Sequence, residues 1–178
     1  MKRLTNLAIL TFFVVLQLAC LAFAGDLVQS PFADAELVFD DGTVTAYMLP
    51  FDSPTVKQLG AQPAAKGDPV LVFNAFPMDK DGLIKAGEPL GNPLKLTLWA
   101  LVSKAGTVTV KWTVSSRQWT ERHSQQIDIP QPGYHFLQYE MTPPVVGTYH
   151  VSGHALFEGI KKKSSKNSET CKFLVYKD

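Results

Sequence analysis

This chain of 178 residues is poor in cysteine and has no large excess of charge of either sign. One of its two cysteines, Cys20, lies in an apolar leader, so Cys171 is alone in the rest of the chain and no intramolecular disulfide is expected. The formal net charge of +1 gives no indication of a nucleic-acid or other polyanionic partner. We therefore expect a fold stabilised by packing, with no nucleic-acid partner.

Helical periodicity and catalytic motifs are also missing. Beyond the leader, no stretch keeps apolar residues at i, i+3, i+4 and i+7 over several turns. The chain has no Gly-x-Ser-x-Gly elbow or comparable nucleophile signature. Cys171 lies on a predicted inward face, where apolar surroundings keep a thiol protonated and unreactive. The expectation is an all-β protein that is not an enzyme and needs no cofactor.

The leader is typical of a secretory signal peptide. Lys2 and Arg3 precede an apolar run over residues 7–18, and Ala-Phe-Ala at residues 22–24 provides a cleavage site. We expect export to the periplasm or the cell exterior. Cleavage removes two of the 17 basic residues, leaving 15 against 16 acidic ones, a net charge of −1. A lipid on Cys20 or an uncleaved leader is the alternative, and only these would attach the protein to a membrane.

The rest of the chain is patterned for strands. Glu36–Asp40 and Thr43–Leu49 flank Asp41-Gly42, which predicts a β-hairpin whose two central turn residues both have positive φ. Residues 50–68 are rich in proline and glycine and are expected to form a connecting loop. Seven further short strands predict a β-sandwich. They are expected at Val70–Phe76, Leu94–Ser103, Thr107–Ser115, Gln125–Ile129, Phe136–Met141, Thr148–Glu158 and Thr170–Tyr176.

Two motifs resemble those of a known superfamily. Thr107–Val114 resembles the immunoglobulin-like strand that carries the central tryptophan, here Trp112, and Val146–Val151 resembles the start of the penultimate strand. The resemblance implies that the Tyr149 hydroxyl bonds to backbone a few residues earlier. Val151 replaces the usual cysteine, so the chain is similar to bacterial disulfide-free immunoglobulin-like or fibronectin-III-like sandwiches. The expected organisation is a signal peptide over 1–24, a hairpin and loop over 25–66, and an immunoglobulin-like antiparallel sandwich over 67–178.

Metal binding is weighed against ordinary surface polarity. His150 and His154 share one face of one strand, but four residues of strand span roughly 13 Å, too far for both rings to bind one ion without a bend. A bulge, or His123 or His135 approaching from another strand, would be needed. Asp79–Gly82 resembles part of a calcium loop but lacks further ligands, so a turn is favoured. The histidines are interpreted as surface residues.

Three sets of residues are candidates for binding. Trp99 falls on the outer face of its strand and needs a cover: the hairpin face Phe39, Val44, Ala46 and Met48 is preferred, and a partner is the alternative. A polar segment carries a tryptophan between two arginines, and a second segment forms a basic tip. The candidate interaction surface is Arg117, Trp119, Arg122 and Trp99; the candidate basic tip is Lys161, Lys162, Lys163 and Lys166.

These features predict an exported, non-catalytic immunoglobulin-like module with an interaction or structural role in the cell envelope. Its partner would be another envelope or extracellular protein whose identity the sequence leaves open. Val70–Phe76 is apolar on both faces and is a candidate for strand pairing with another chain. The alternative function is a periplasmic protein that binds a metal ion or small ligand.

Overall fold

The computed structural model describes residues 33–58, 69–160 and 167–178. The leader, most of the predicted loop and the basic tip lie outside these residues, so the predictions for them are left as they stand. The described residues form ten strands and a short helix, α1 (Pro54–Gln58). The strands are β1 (Glu36–Asp40), β2 (Val44–Leu49), β3 (Val70–Met78), β4 (Gly87–Pro89), β5 (Leu94–Val102), β6 (Gly106–Ser115), β7 (Thr120–Ile129), β8 (Gly133–Met141), β9 (Gly147–Phe157) and β10 (Ser168–Tyr176).

The strands form two five-stranded sheets. The first has the order β1-β2-β8-β5-β3 and the second the order β4-β10-β9-β6-β7. Neighbouring strands are antiparallel except for β4, which pairs parallel to β10. The sheets face each other across an apolar core to which both contribute alternate residues, as the period-two patterning requires. Trp112 and Tyr149 lie fully inside it, as predicted.

The seven predicted strands of the main body are all present, with ends that move by a few residues. The largest difference is β7, which begins at Thr120 rather than at Gln125. Residues 120–124 are polar and show no apolar alternation, but their register with β6 is regular along the whole strand. Pairing to a buried neighbour therefore extends this strand where its own hydrophobicity does not. The short strand β4 was not predicted.

The N-terminal strands belong to the first sheet rather than standing apart from the sandwich. β1 pairs with β2, and β2 pairs along its length with β8. The connection between them differs from the predicted two-residue turn, since only Gly42 has positive φ (85°) and Asp41 does not. Asp41 Oδ1 accepts hydrogen bonds from the N–H groups of Thr43 and Val44 at 2.9 and 2.7 Å. These bonds stabilise a three-residue connection.

The predicted loop over 50–68 contains α1, so the loop interpretation is wrong for residues 54–58. Asp34 anchors this helix by accepting a hydrogen bond from Thr55 Oγ1 at 2.7 Å and another from Ser53 Oγ. Val56 is buried against the outer face of the first sheet. The proline-rich composition of the segment gave no sign of this one helical turn, because a helix this short depends on a tertiary contact for its stability.

Tyr149 makes the hydrogen bond that the resemblance implied. Its hydroxyl donates to the carbonyl of Val145 at 2.8 Å and accepts from the N–H of the same residue at 3.3 Å. The Tyr149 ring stacks on Phe173 of β10 at 5.1 Å between ring centres. The bond fixes the approach to β9 while the ring fills the core.

In the described part of the chain, no helix has the length and apolar character needed to span a membrane.

Candidate functional site

The described sheets end in four edge strands, which differ in how open they are to pairing. β1 and β3 each have a register shift, β3 also contains Pro77, and β4 has three residues. β7 instead has ten residues, no proline and an unbroken register against β6. Bulges, prolines and short length are common ways of blocking strand addition at an edge. Among the described strands, β7 is therefore the edge best formed to accept another strand, rather than the predicted Val70–Phe76.

Two backbone hydrogen bonds establish which residues of β7 face the open side. Glu158 N–H donates to the Thr107 carbonyl at 2.9 Å, so the odd-numbered residues of β6 bond to β9. Ser116 N–H donates to the Trp119 carbonyl at 2.7 Å, so the even-numbered residues of β6 bond to odd-numbered residues of β7. The other residues of β7 direct their backbone groups away from the sandwich. They are Thr120, Arg122, Ser124, Gln126 and Asp128.

Side-chain exposure on β7 follows the same alternation. The five residues with outward backbone groups also have exposed side chains on the outer face of the sheet. In between, Glu121, His123 and Gln125 are half-buried, and Ile127 and Ile129 are buried in the core. An added strand would thus meet free N–H and C=O groups beside a polar row, without displacing the apolar residues that hold β7 in place.

A polar and aromatic contact between the two sheets holds one end of β7. The Tyr139 hydroxyl on β8 donates a hydrogen bond to Glu121 Oε1. The ring of His123 stacks on Tyr139 with ring centres 4.6 Å apart and an angle of 10°. Burial raises the pKa of Tyr139, and the hydrogen bond to Glu121 raises it further, so the phenol remains a donor at physiological pH. The edge is therefore tied to the opposite sheet before any partner binds.

The predicted interaction surface is only partly assembled. Arg117 is exposed in the turn that leads into β7, and Arg122 is exposed on β7 itself. Trp119 is half-buried and packs edge-on against Tyr149, with ring centres 6.1 Å apart, so it points toward the core. Trp119 is therefore half-buried rather than fully exposed, because the inward alternation of the odd-numbered residues of β7 extends one position before the strand begins at Thr120.

Trp99 is also not part of a surface, since it is 3% exposed. It stacks on Tyr134 at 5.4 Å and contacts Phe136 at 4.6 Å between ring centres, in a second apolar cluster on the outer face of the first sheet. Trp99 is covered by residues of its own chain, as predicted. The prediction that the hairpin face supplies this cover is wrong, because Val44 and Ala46 point into the central core. Part of the cover comes instead from Leu49 and Val56.

Two histidines interpreted as surface residues are buried. His135 is 0% exposed and His154 is 7% exposed. Burial lowers the pKa of His135 to about 4, against an opposing effect from the backbone of Gln131. His154 Nε2 lies 3.2 Å from Ser152 Oγ. Among the described residues, no group of three or more histidine, cysteine, aspartate or glutamate side chains could hold a metal ion.

Asp79, the start of the candidate calcium loop, forms a turn, and Cys171, the candidate reactive thiol, packs against the core. Asp79 Oδ1 accepts from the N–H groups of Asp81 and Leu83 at 2.9 Å each, and Oδ2 pairs with Lys85 Nζ at 3.1 Å. Burial alone would raise the pKa of Asp79, but these donors lower it overall. Cys171 is half-buried against the core, where burial raises the pKa of its thiol to about 12. The inward placement predicted for Cys171 is confirmed.

Two sheets packed face to face around an apolar core make this an all-β sandwich protein. No protein-family model and no curated protein matches the chain.

Three solved structures are similar to parts of the chain at low identity. A CARDB domain from Pyrococcus furiosus, solved in complex with di-metal ions, has a TM-score of 0.45 and 11% identity, covering 65% of this chain and 100% of that domain. An alkylpurine DNA glycosylase from Pseudomonas fluorescens bound to DNA containing an abasic site analog has a TM-score of 0.41 and 10% identity, covering 68% of this chain and 32% of the glycosylase. A family 123 glycoside hydrolase from Clostridium perfringens has a TM-score of 0.35 and 9% identity, covering 61% of this chain and 27% of the hydrolase. No activity, substrate or partner follows from likenesses at this level.

Proposed function

We propose that this protein is an exported, non-catalytic, immunoglobulin-like module that binds another protein of the cell envelope or exterior by accepting a strand at β7. The observation that carries the proposal is the regular ten-residue edge with outward backbone groups at alternate residues. Strand addition obtains affinity from main-chain hydrogen bonds and specificity from the flanking side chains. The immunoglobulin-like assignment is supported by Trp112 in the core and by the Tyr149 bond to Val145.

Export is supported by the charged start, apolar run and small-residue site of residues 1–24. Cell fractionation and N-terminal sequencing test it directly. The expected result is a chain beginning at Gly25 outside the cytosol. An intact leader on a cytosolic protein would contradict it.

The edge proposal is tested by photo-crosslinking from Gln126, which lies on the open side of β7. The control position is His150, which is exposed on the outer face of the inner strand β9 and is paired on both sides, with Ser115 of β6 and Lys172 of β10. We expect crosslinked adducts from Gln126 and none from His150.

A proline substitution on β7 tests whether main-chain hydrogen bonds make the contact with the partner. Ser124→Pro removes one outward N–H, whereas the matched variant Ser124→Ala removes the hydroxyl and keeps the N–H. Ser124→Pro should abolish the adduct and Ser124→Ala should retain it, with circular dichroism unchanged in both. Adducts that survive Ser124→Pro, or that form equally from both positions, would refute binding at this edge.

A further inference from the structure

The open edge of β7 is complementary to itself. Its five outward residues include two charged ones of opposite sign, Arg122 and Asp128, separated by six positions. Asp128 Oδ1 accepts a hydrogen bond from Thr107 Oγ1 at 2.8 Å, which orients the carboxylate on the outer face. The ion pairs in the described structure are Lys85–Asp79 and Lys95–Glu140, so Arg122 has no carboxylate partner there. The edge therefore presents an unpaired cation and an oriented anion along one line.

The phase of the free backbone groups restricts how two such edges can pair. In an antiparallel ladder, hydrogen-bonded pairs form between residues whose N–H and C=O groups both face the neighbour. On β7 these are even-numbered residues, so an even-numbered residue of one copy must lie opposite an even-numbered residue of the other. Allowed registers then differ by steps of two residues, and each has a different set of facing side chains.

One of these registers matches both charges. With the two-fold axis at Gln125, Arg122 of each copy lies opposite Asp128 of the other, and Ser124 lies opposite Gln126. Centring the axis on Ser124 instead places Arg122 opposite Gln126, and centring it on Gln126 places Asp128 opposite Ser124. Opposite charges that face each other across strands stabilise a sheet, and like charges destabilise it. Because the pairing is symmetric, the favourable contact occurs twice.

Gln125 at the axis is compatible with this arrangement. Its side chain is half-buried, and an amide both donates and accepts, so it can bond to the same residue of the second copy. In the single chain, Gln125 Nε2 donates to the carbonyl of Gln126 at 3.1 Å, which leaves that carbonyl a second lone pair for the added strand.

We propose that the strand accepted at β7 is β7 of a second copy of this chain, antiparallel and with its two-fold axis at Gln125. This rests on the proposed function and deepens it: the proposed function requires that a protein strand binds at β7, and the inference identifies the protein that supplies this strand as a second copy of the chain. The two five-stranded sheets that contain β7 would then join into one continuous sheet across the dimer. A partner of different sequence at β7 is the competing outcome.

A charge-swap experiment on the mature chain tests the register. Arg122→Asp makes both facing side chains aspartates, and Asp128→Arg makes both of them arginines, so each variant alone should dimerise at least roughly tenfold more weakly than the parent. An equimolar mixture of the two variants allows a heterodimer in which each of the two facing pairs joins an aspartate of one chain to an arginine of the other, so the mixture should associate about as tightly as the parent. The double variant Arg122→Asp/Asp128→Arg also restores both opposite-charge contacts, with their signs exchanged, and it should recover the parent's dimerisation. Sedimentation equilibrium measures all of these states.

The controls separate the dimer from the edge itself. Lys111→Asp changes a charge on the same outer face but on the inner strand β6, and it should leave the dimer unchanged. Ser124→Pro should dissociate the dimer and Ser124→Ala should not. The double variant carries both of the substitutions that weaken the dimer singly. If it recovers dimerisation, the weakening in the single variants does not come from a loss of folding.

Three results would overturn the inference. They are a monomeric parent at all concentrations, a dimer indifferent to Ser124→Pro, and a double variant that stays as weakly associated as the single ones. If the parent is monomeric while crosslinking from Gln126 still captures a different protein in a Ser124→Pro-sensitive manner, the inference fails and the proposed function stands. If neither association depends on β7, both fail.

Discussion

The stability of this protein should decrease as the pH falls from 6.5 to 4 because of one buried histidine, His135. It lies on β8 between Ala100 of β5 and Met48 of β2, with none of its surface exposed. Neither ring nitrogen has a partner at full hydrogen-bond geometry among the described residues. Burial lowers the pKa of His135 from 6.5 to about 4, because an imidazolium ion loses its hydration there.

The sign and size of the effect follow from proton linkage. Between the two pKa values the unfolded chain binds a proton at His135 and the folded chain does not, so acid favours unfolding. Stability is full above pH 6.5, decreases as the pH falls, and the loss is complete below the folded pKa of about 4. At about 1.4 kcal/mol per pKa unit, the difference corresponds to roughly 3 kcal/mol. That is a large part of the ~5–15 kcal/mol that stabilises a typical domain.

His135→Leu tests this reasoning, since leucine has a similar volume and no proton to bind. Urea unfolding followed by tryptophan fluorescence at several pH values between 7 and 4 should show a flatter profile for the variant than for the parent. The variant should also be at least as stable at pH 7, because the unpartnered ring nitrogens are gone. His150→Leu, at an exposed histidine, is the matched control and should keep the parent's profile. A His135→Leu variant that still lost about 3 kcal/mol over this range would refute the argument.

Three further outcomes are expected. Tyr149→Phe should lower the free energy of unfolding by about 1–2 kcal/mol in urea titration, since it removes the bond to Val145, and an unchanged value would argue against a structural role for that bond. Cys171 should react with a thiol reagent far more slowly in the native protein than in urea, because burial raises its pKa to about 12; equal rates would contradict its inward placement. Gly153→Ala should destabilise by about 1–3 kcal/mol and lower the melting temperature, since the new Cβ would lie 2.5 Å from Leu98 Cδ2. A fully stable alanine variant would mean that Leu98 moves freely.

Alternating hydrophobicity was enough to place most strands and their inward residues. Trp112, Tyr149 and Cys171 all face the core as expected, because side chains on a strand point alternately to opposite faces and only one face of each sheet is buried here. The turn chemistry around Asp79 was likewise readable from local residues. The exposure of Arg122 was predictable from its polar surroundings, although the full extent of its strand was not.

The burial of a side chain by residues from distant parts of the sequence could not be predicted in this way. Trp99 was assigned to the correct face of its strand, but its burial depends on Leu49 and Val56, which come from distant parts of the sequence. His135 looked like an ordinary polar residue because its neighbours on β2 and β5 are unknown until the sheet is assembled. The residue pattern predicts which face of a strand a side chain lies on. Which other side chains cover that face is decided by tertiary packing.

Strand order decides the candidate site for the same reason. The sequence alone determined that Gln125–Ile129 is a strand with an apolar side and a polar side. That β7 continues back to Thr120, lies at the end of its sheet and turns the backbone groups of Ser124 and Asp128 outward was decided by pairing with β6. Hydrogen bonds between strands connect residues far apart along the chain, so whether a strand is central or an edge is a property of the assembled sheet.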